Sequence, residues 1–317
     1  VDLRALCLVR EALGQVSPLA DSIFAVQGLG VTPVVLAGSD EQRGKLLPQA
    51  VRGDAIFGFG LTEPEAGSDV AGMRTTARRD GDGFVLDGEK TLISNVGIAQ
   101  WFVVFANANP EAGKRGISAF LVPSDAPGLE LEPIALSVEH PIGRLRLRGC
   151  RLPGSALLGD VGQGLRLALG TLDTFRVSVG AAAVGMARRA FDETLARVRT
   201  RQQFGKPLAE QQLVQAQLAE MATELDAARL LVLRAAKLKD SGRERIPVEA
   251  AMGKLYATEA AQRIIDRAVQ LHGGMGVTLG SVVERLYREI RPLRIYEGTS
   301  EIQHLIIGRA LSQGGET

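Results

Sequence analysis

The sequence predicts an α+β multidomain chain, and three observations carry that reading. Apolar residues recur at helical spacing ahead of residue 55, short alternating segments with turn residues between them crowd the middle, and long helical periodicities fill the rest after Gly162 and Gly164. The expected architecture is a partial amino-terminal helical segment over 1–55, a middle antiparallel β domain over 56–153 and a carboxy-terminal four-helix bundle over 154–317. A chain of 317 residues is long enough for two or three packed units of this kind.

Leu3, Leu6, Val9, Leu13 and Val16 mark the first helix, which Ser17-Pro18 interrupts. A second helical piece is expected over roughly 19–28, and a third from about Asp40 to Val51, capped by Ser39 or Asp40. So short a helical opening has few faces to pair with itself, and it reads as part of a larger helical domain. Strands are expected at Phe84-Val85-Leu86, Trp101 to Phe105, Ser118 to Val122 and Leu145 to Leu147. Gly81-Asp82-Gly83, Asn107 to Gly113 and Pro123 to Gly128 supply the turns. Arg144, Arg146 and Arg148 alternate with Leu145 and Leu147, the pattern of a strand with one solvated face. Long helices are expected over 164–199, 209–240 and 247–272, with a shorter one over 300–311. Val214, Leu218, Met221, Leu225, Ala228 and Val232 step by four and three along a bundle seam, and Pro247 suits a first helical turn, where its missing N–H costs nothing.

Composition narrows the function classes. The formal net charge of +1 gives no basic field for nucleic acid or an anionic membrane. Cys7 and Cys150 are too few and too far apart for a disulfide framework, which fits a reducing compartment. His140, His272 and His304 lack ligand spacing, so no metal site is expected. The opening Val1-Asp2-Leu3 has no leader pattern. The most apolar stretch, Val177 to Ala187, is shorter than the ~18 residues a membrane span needs. A soluble protein without membrane insertion is the expectation.

Five stretches stand out as candidate chemistry. Leu61 to Asp69 reads LTEPEAGSD, a polar turn whose hydroxyls and amides suit a polar ring or phosphate. Gly88 to Asn95 is a second polar turn. Arg201 to Pro207, RQQFGKP, joins two helices with a cation and an aromatic ring. Gln270 to Gly276, QLHGGMG, ends a helix in glycines that serve as C-caps or admit a phosphate close to the backbone. Arg294 to Gln303 holds Ser300 and Gln303 at capping-box spacing, which places Glu297 on the turn into a helix. There the helix end favours its anion while an apolar pocket raises its pKa, and a carboxylate so poised suits proton abstraction.

In this order and on this scaffold, TEPEAGSD, ISN, RQQFGKP, QLHGGMG and IYEGTSEIQ make the chain resemble the acyl-CoA dehydrogenase family of flavoproteins, from about residue 16 to the carboxyl end. The resemblance implies FAD as cofactor and α,β-dehydrogenation of an acyl-CoA thioester to the trans-2-enoyl-CoA. Glu297 matches the catalytic base that takes the α-proton while the β-hydrogen leaves as hydride to flavin N5. The thioester carbonyl is polarised in this family by the backbone N–H of the base and a flavin hydroxyl. Phe59, Leu61, Thr62, Ser68, Ile93 and Ser94 match flavin contacts, with Ser94 near N5 and Ser68 also facing the CoA portion. Arg201, Gln203, Phe204, Gln270, Gly273 and Gly274 match contacts to the FAD of a neighbouring subunit, and Thr299 and Glu301 match further ones. Asp173, Arg176 and Gly298 match substrate-side positions, and Asp21, Ser22 and Ala25 border the acyl pocket. A homodimer or homotetramer with shared FAD sites and an electron-transfer flavoprotein as electron acceptor are the implied partners.

Three departures from the family pattern are visible. Most of the amino-terminal helical domain is expected to be absent, Leu92 stands where relatives often carry an aromatic residue, and 138–153 is shorter than usual. Some relatives place the base just before the position of Arg176; Phe175 stands there in this chain. The alternatives are an acyl-CoA oxidase that uses oxygen, or a non-catalytic scaffold. The implied location is the cytoplasm of a bacterium, or the mitochondrial matrix if eukaryotic.

Overall fold

The computed structural model describes residues 2–243 and 245–314. They form two compact units: the described residues up to Asp21 with those from Asp173 onward, and Ser22–Leu172. The helices are α1 (Leu3–Val16), α2 (Pro18–Ala37), α3 (Asp40–Arg52), α4 (Gly164–Thr200), α5 (Gln212–Asp240), α6 (Pro247–His272), α7 (Val282–Ile290) and α8 (Ser300–Ser312). The strands are β1 (Phe57–Gly60), β2 (Thr76–Asp80), β3 (Gly83–Ser94), β4 (Trp101–Asn107), β5 (Ile117–Pro123), β6 (Leu129–Pro133), β7 (Ile142–Leu152) and β8 (Leu157–Leu158). A two-stranded ribbon of β9 (Gln202–Gln203) and β10 (Lys206–Pro207) stands between α4 and α5. The unit boundaries fall inside α2 and α4.

The helical unit has an alanine-rich core. Ala181, Ala182, Ala183, Ala190, Ala228, Ala257, Ala260 and Ala261 pack with Val184, Met221, Leu225, Val232, Ile264 and Ile265. The α5 seam is as its sequence predicts at Met221, Leu225, Ala228 and Val232, while Val214 and Leu218 are only half-buried. Pro247 opens α6. The buried stripe of α1 differs from expectation: Leu3, Cys7, Arg10 and Gly14 face inward, and Val9 and Val16 are exposed. Close approach decides it, because a Cβ on Gly14 would lie 2.5 Å from the Ala182 carbonyl oxygen. The same rotation turns Arg10 into the interior. α7 was not anticipated; it is nine residues long and buries only Val283, Leu286 and Ile290.

In the sheet unit the strand order is β6-β7-β3-β2-β4-β5-β8, with β1 beside β4. Pairing is antiparallel except at β4, which runs parallel to β1 and meets β2 in parallel at Thr76 and Asn107. Phe102, Val104 and Ala106 face one core with Phe84, Leu86 and Phe120. Val103 and Phe105 face the other, with Phe57, Ile117, Leu121 and residues of α2 and α3. Burial on both faces explains why β4 reads as an unbroken apolar run. β2 and β3 join through Gly81-Asp82, as the turn signal predicts. Ser39 caps α3 in a full capping box with Gln42. Arg144 and Arg146 lie on the half-exposed face of β7 against Glu132 and Glu89.

By length and composition α2 and α4 are each apolar enough to cross a membrane, beyond the short stretch Val177 to Ala187 singled out in the sequence. The apolar window of α4 is 72% buried, the situation of a core helix, and that of α2 is 33% buried.

Candidate active site

Glu297 lies on a strained turn. Its φ is 52°, in the left-handed region that a non-glycine residue avoids, and Gly298 follows at 92°. Such a turn persists only where its surroundings over-determine it. Here three elements supply donors. Arg176 Nε on α4 donates to the Glu297 carbonyl at 3.3 Å. Lys254 Nζ on α6 and Gln303 Nε2 on α8 donate to the Gly298 carbonyl at 2.9 and 2.8 Å. Gly298 has no room for a side chain, since a Cβ would lie 2.5 Å from Gln303 Nε2.

The capping expectation needs correction. Thr299, not Ser300, is the N-cap: its hydroxyl accepts from Ile302 N at 3.3 Å. Ser300 is buried in the first turn and donates to Glu259 Oε1 at 2.5 Å, and Gln303 is committed to the Gly298 carbonyl. A carboxylate 41 positions away in the chain has drawn the hydroxyl that local spacing assigned to the cap.

Glu297 as a whole residue is half-buried, but its Oε2 is buried and has no hydrogen-bond partner. Burial raises its pKa above the ordinary carboxyl value, more than the positive charges of Arg10, Lys254 and Arg176 lower it; Asp21 adds to the rise. Of the two opposing influences expected from sequence, desolvation prevails. Burial also pulls Lys254 down to about 8, against the attraction of Glu297. Asp173 pairs with Arg176 at 3.2 Å. Thr299 and Glu301 share the same helix entrance, with the Glu301 carboxyl held low by the Thr299 hydroxyl. Glu297, Gly298, Thr299, Glu301, Arg176 and Asp173 therefore form one cluster.

A second cluster lies in the sheet unit. Thr91 N donates to the Thr62 carbonyl at 2.9 Å, joining the loop after β1 to β3. Leu61 and Ile93 are buried anchors, while Phe59, Thr62 and Ser94 are half-buried. Leu92, between Thr91 and Ile93, has a φ of 55° and is 53% exposed. Ser94 Oγ lies 2.7 Å from His140 Nε2. Ser68 is exposed farther along the loop. Beneath this face is an ion pair that motif reading missed. Glu63 accepts from Lys90 Nζ at 2.7 Å, Arg74 N at 2.6 Å, Thr75 N at 3.0 Å and Thr75 Oγ1 at 2.5 Å. Burial pushes the Glu63 carboxyl up, but the Lys90 charge and these donors outweigh it and hold it below the ordinary range. Both partners lie within stretches singled out in the sequence, Leu61 to Asp69 and Gly88 to Asn95, but 27 positions separate them.

The remaining candidates lie at helix ends. Phe204 and Gly205 form the two-residue turn of the β9–β10 ribbon at φ values of 54° and 77°, the geometry of a type I′ hairpin. Phe204 is 95% exposed, with exposed Arg201 and Gln203 beside it. Gln270, Gly273 and Gly274 end α6 at the surface, and a Cβ on either glycine would meet nothing within 4 Å. Among the described residues no cluster of three or more His, Cys, Asp or Glu is placed to hold a metal.

Three family models match the chain: acyl-CoA dehydrogenase N-terminal domain at 1–54, middle domain at 58–150 and C-terminal domain at 162–312. A protein of Mycobacterium tuberculosis named probable acyl-CoA dehydrogenase FadE25 is 40% identical over 313 residues, covering 98% of this chain and 80% of that protein. A glutaryl-CoA dehydrogenase of Mycobacterium smegmatis, solved in complex with FADH2, matches at a TM-score of 0.92 and 36% identity, over 97% of this chain and 79% of that one. A chain in a structure described as the electron transferring flavoprotein of Acidaminococcus fermentans matches at 0.95 and 35% identity, over 98% and 83%.

Proposed function

The chain belongs to the acyl-CoA dehydrogenase family of oxidoreductases, and we propose that it desaturates an acyl-CoA thioester between Cα and Cβ, with FAD as cofactor and Glu297 as the base. The observation that carries this is the buried, unpartnered Glu297 Oε2 on a clamped, strained turn. A carboxylate without hydrogen-bond donors keeps its lone pairs available and its basicity high.

The residues present fit a flavin. Thr62 and Ser94 offer two hydroxyls beside the exposed side chain of Leu92, the donor set and apolar surface that a planar ring with polar edges requires. Phe59 lies on β1, which leads into the Thr62 loop, and Leu61 and Ile93 hold both segments from within. Arg201, Gln203 and Phe204, with the open glycines after Gln270, suit the diphosphate and adenine end. When bound, FAD supplies the hydride acceptor. Glu297 takes the α-proton as the β-hydrogen leaves with its electron pair, and its backbone N–H polarises the thioester carbonyl. Arg176, Lys254 and Gln303 hold the turn so that the carboxylate does not swing away. Gly298, Asp173 and Arg176 in the helical unit and Ser68 in the sheet unit are the candidate substrate contacts, with Arg176 turned inward to the base loop. The exposed Phe204 and the ends of α4 and α6 suit FAD sites shared between subunits of a homodimer or homotetramer, with an electron-transfer flavoprotein receiving the electrons.

Anaerobic titration of the purified flavoprotein with a panel of acyl-CoAs tests this. Bleaching of the flavin by at least one acyl group is expected, with slow peroxide formation in air until an electron-transfer flavoprotein is added. No bleaching by any acyl-CoA would overturn the reading, and rapid peroxide formation without an added acceptor would make the enzyme an oxidase.

A further inference from the structure

Between α1 and the start of α2, the helical unit encloses two charges with no contact to solvent. Arg10 and Asp21 side chains are each 1% exposed. Arg10 Nε and Nη2 donate to Asp21 Oδ1 and Oδ2 at 2.9 and 2.8 Å, a bidentate fork, and Nη1 donates to Ser178 Oγ at 2.9 Å. Ser178 in turn donates to the Phe175 carbonyl at 2.7 Å, on the turn of α4 that also carries Arg176. Tyr296, the residue before Glu297, packs against the core of the same unit and carries the electrostatic influence of Arg10. A buried pair of this kind contributes little net stability over an apolar packing of the same volume. Its effect falls instead on the charge next to it.

We propose that the Arg10–Asp21 pair is a positioning device for Glu297, anchoring Ser178 on the α4 turn whose Arg176 holds the Glu297 carbonyl and setting the balance of charge that the carboxylate experiences. This rests on Glu297 as the proton-removing group. The groups facing Glu297 come from every neighbouring element: Arg10 from α1, Asp21 from α2, Arg176 with Asp173 from α4, Lys254 from α6 and Tyr296 from its own segment. Glu259 and Glu301 act on Lys254. Among the cations Arg10 acts most strongly on the Glu297 carboxyl, and Asp21 opposes it. The pair therefore supplies two effects of opposite sign, that of Arg10 being the larger.

Opposite shifts from the two single variants are the signature. Asp21→Asn leaves Arg10 uncompensated, favours the Glu297 anion and moves its titration to lower pH. Arg10→Met removes the cation that acts on it most strongly and moves it to higher pH. The double variant returns it toward the wild-type value. Shifts of roughly one unit are expected for the singles. The carboxyl titration is read directly, as the infrared difference between each flavin-loaded protein and its Glu297→Gln counterpart, beside the acidic limb of kcat/KM. Singles that shift in the same direction, or a double no closer to wild type than Arg10→Met, would overturn the positioning role. Should a single fail to fold, the double and the remaining single still give the two-point comparison. A carboxyl titration that moves as expected while the kcat/KM limb stays fixed would instead overturn Glu297 as the base.

Discussion

Two glutamates, Glu63 buried in the sheet unit and Glu297 with a buried carboxylate oxygen in the helical unit, teach opposite lessons. Glu63 is saturated: four donors converge on its carboxylate, one of them a fully buried lysine, and its pKa is held low. Glu297 has an oxygen with no donor at all, and its pKa is raised. Each sits at the centre of its turn, Thr62-Glu63-Pro64 in one and Tyr296-Glu297-Gly298 in the other. A saturated carboxylate has nothing left to offer a substrate and serves as a rivet between the loop after β1 and strand β3. An unsaturated one is costly to bury and persists because the surrounding donors hold its backbone, not its carboxylate.

Breaking the rivet is expected to have the larger effect on stability. Lys90→Met strands the Glu63 charge and should cost roughly 3–5 kcal/mol, read as a drop in the denaturant midpoint. The acid side sharpens this. The Glu63 carboxyl is held below its ordinary value of 4.5, so the stability it contributes is fully present above that pH and lost as the pH falls through the lowered pKa. The variant should lose part of that acid dependence.

A smaller effect is expected at the active turn. Lys254→Met removes one of the two donors on the Gly298 carbonyl and leaves Gln303 in place. The net value of one hydrogen bond is about 1 kcal/mol, so kcat should fall roughly 5–10-fold while the denaturant midpoint moves much less than for Lys90→Met. Equal losses of stability in the two variants would mean that Lys254 is a rivet too.

Much of this was legible in the sequence because the motifs are contiguous. The turn that carries Glu297 and the C-capping glycines after Gln270 each have their chemistry within a few positions, whereas Arg201 to Pro207 reads only as a connector between helices and folds as a hairpin. What was hidden depends on distance along the chain. Arg10 and Asp21 are 11 positions apart across the Ser17-Pro18 break, and an arginine amid Leu6, Val9 and Leu13 gives no sign that it points inward. Thr299 and Ser300 are both good caps, and only Glu259 on α6 decides between them. His140 meets Ser94 across 46 positions, with no spacing that announces it. α7 escaped because three buried residues in one short helix make too brief a period to read.

The most direct measurement sets the two glutamates side by side: anaerobic stopped-flow reduction of the flavin by acyl-CoA in Glu297→Gln and Glu63→Gln. Glu297→Gln should fold, retain FAD and show reduction slowed by about a thousand-fold or more, the scale on which a positioned base acts. Glu63→Gln should be markedly less stable, yet reduce its flavin at close to the wild-type rate in the fraction that remains folded. Undiminished reduction in Glu297→Gln would contradict the account at its centre.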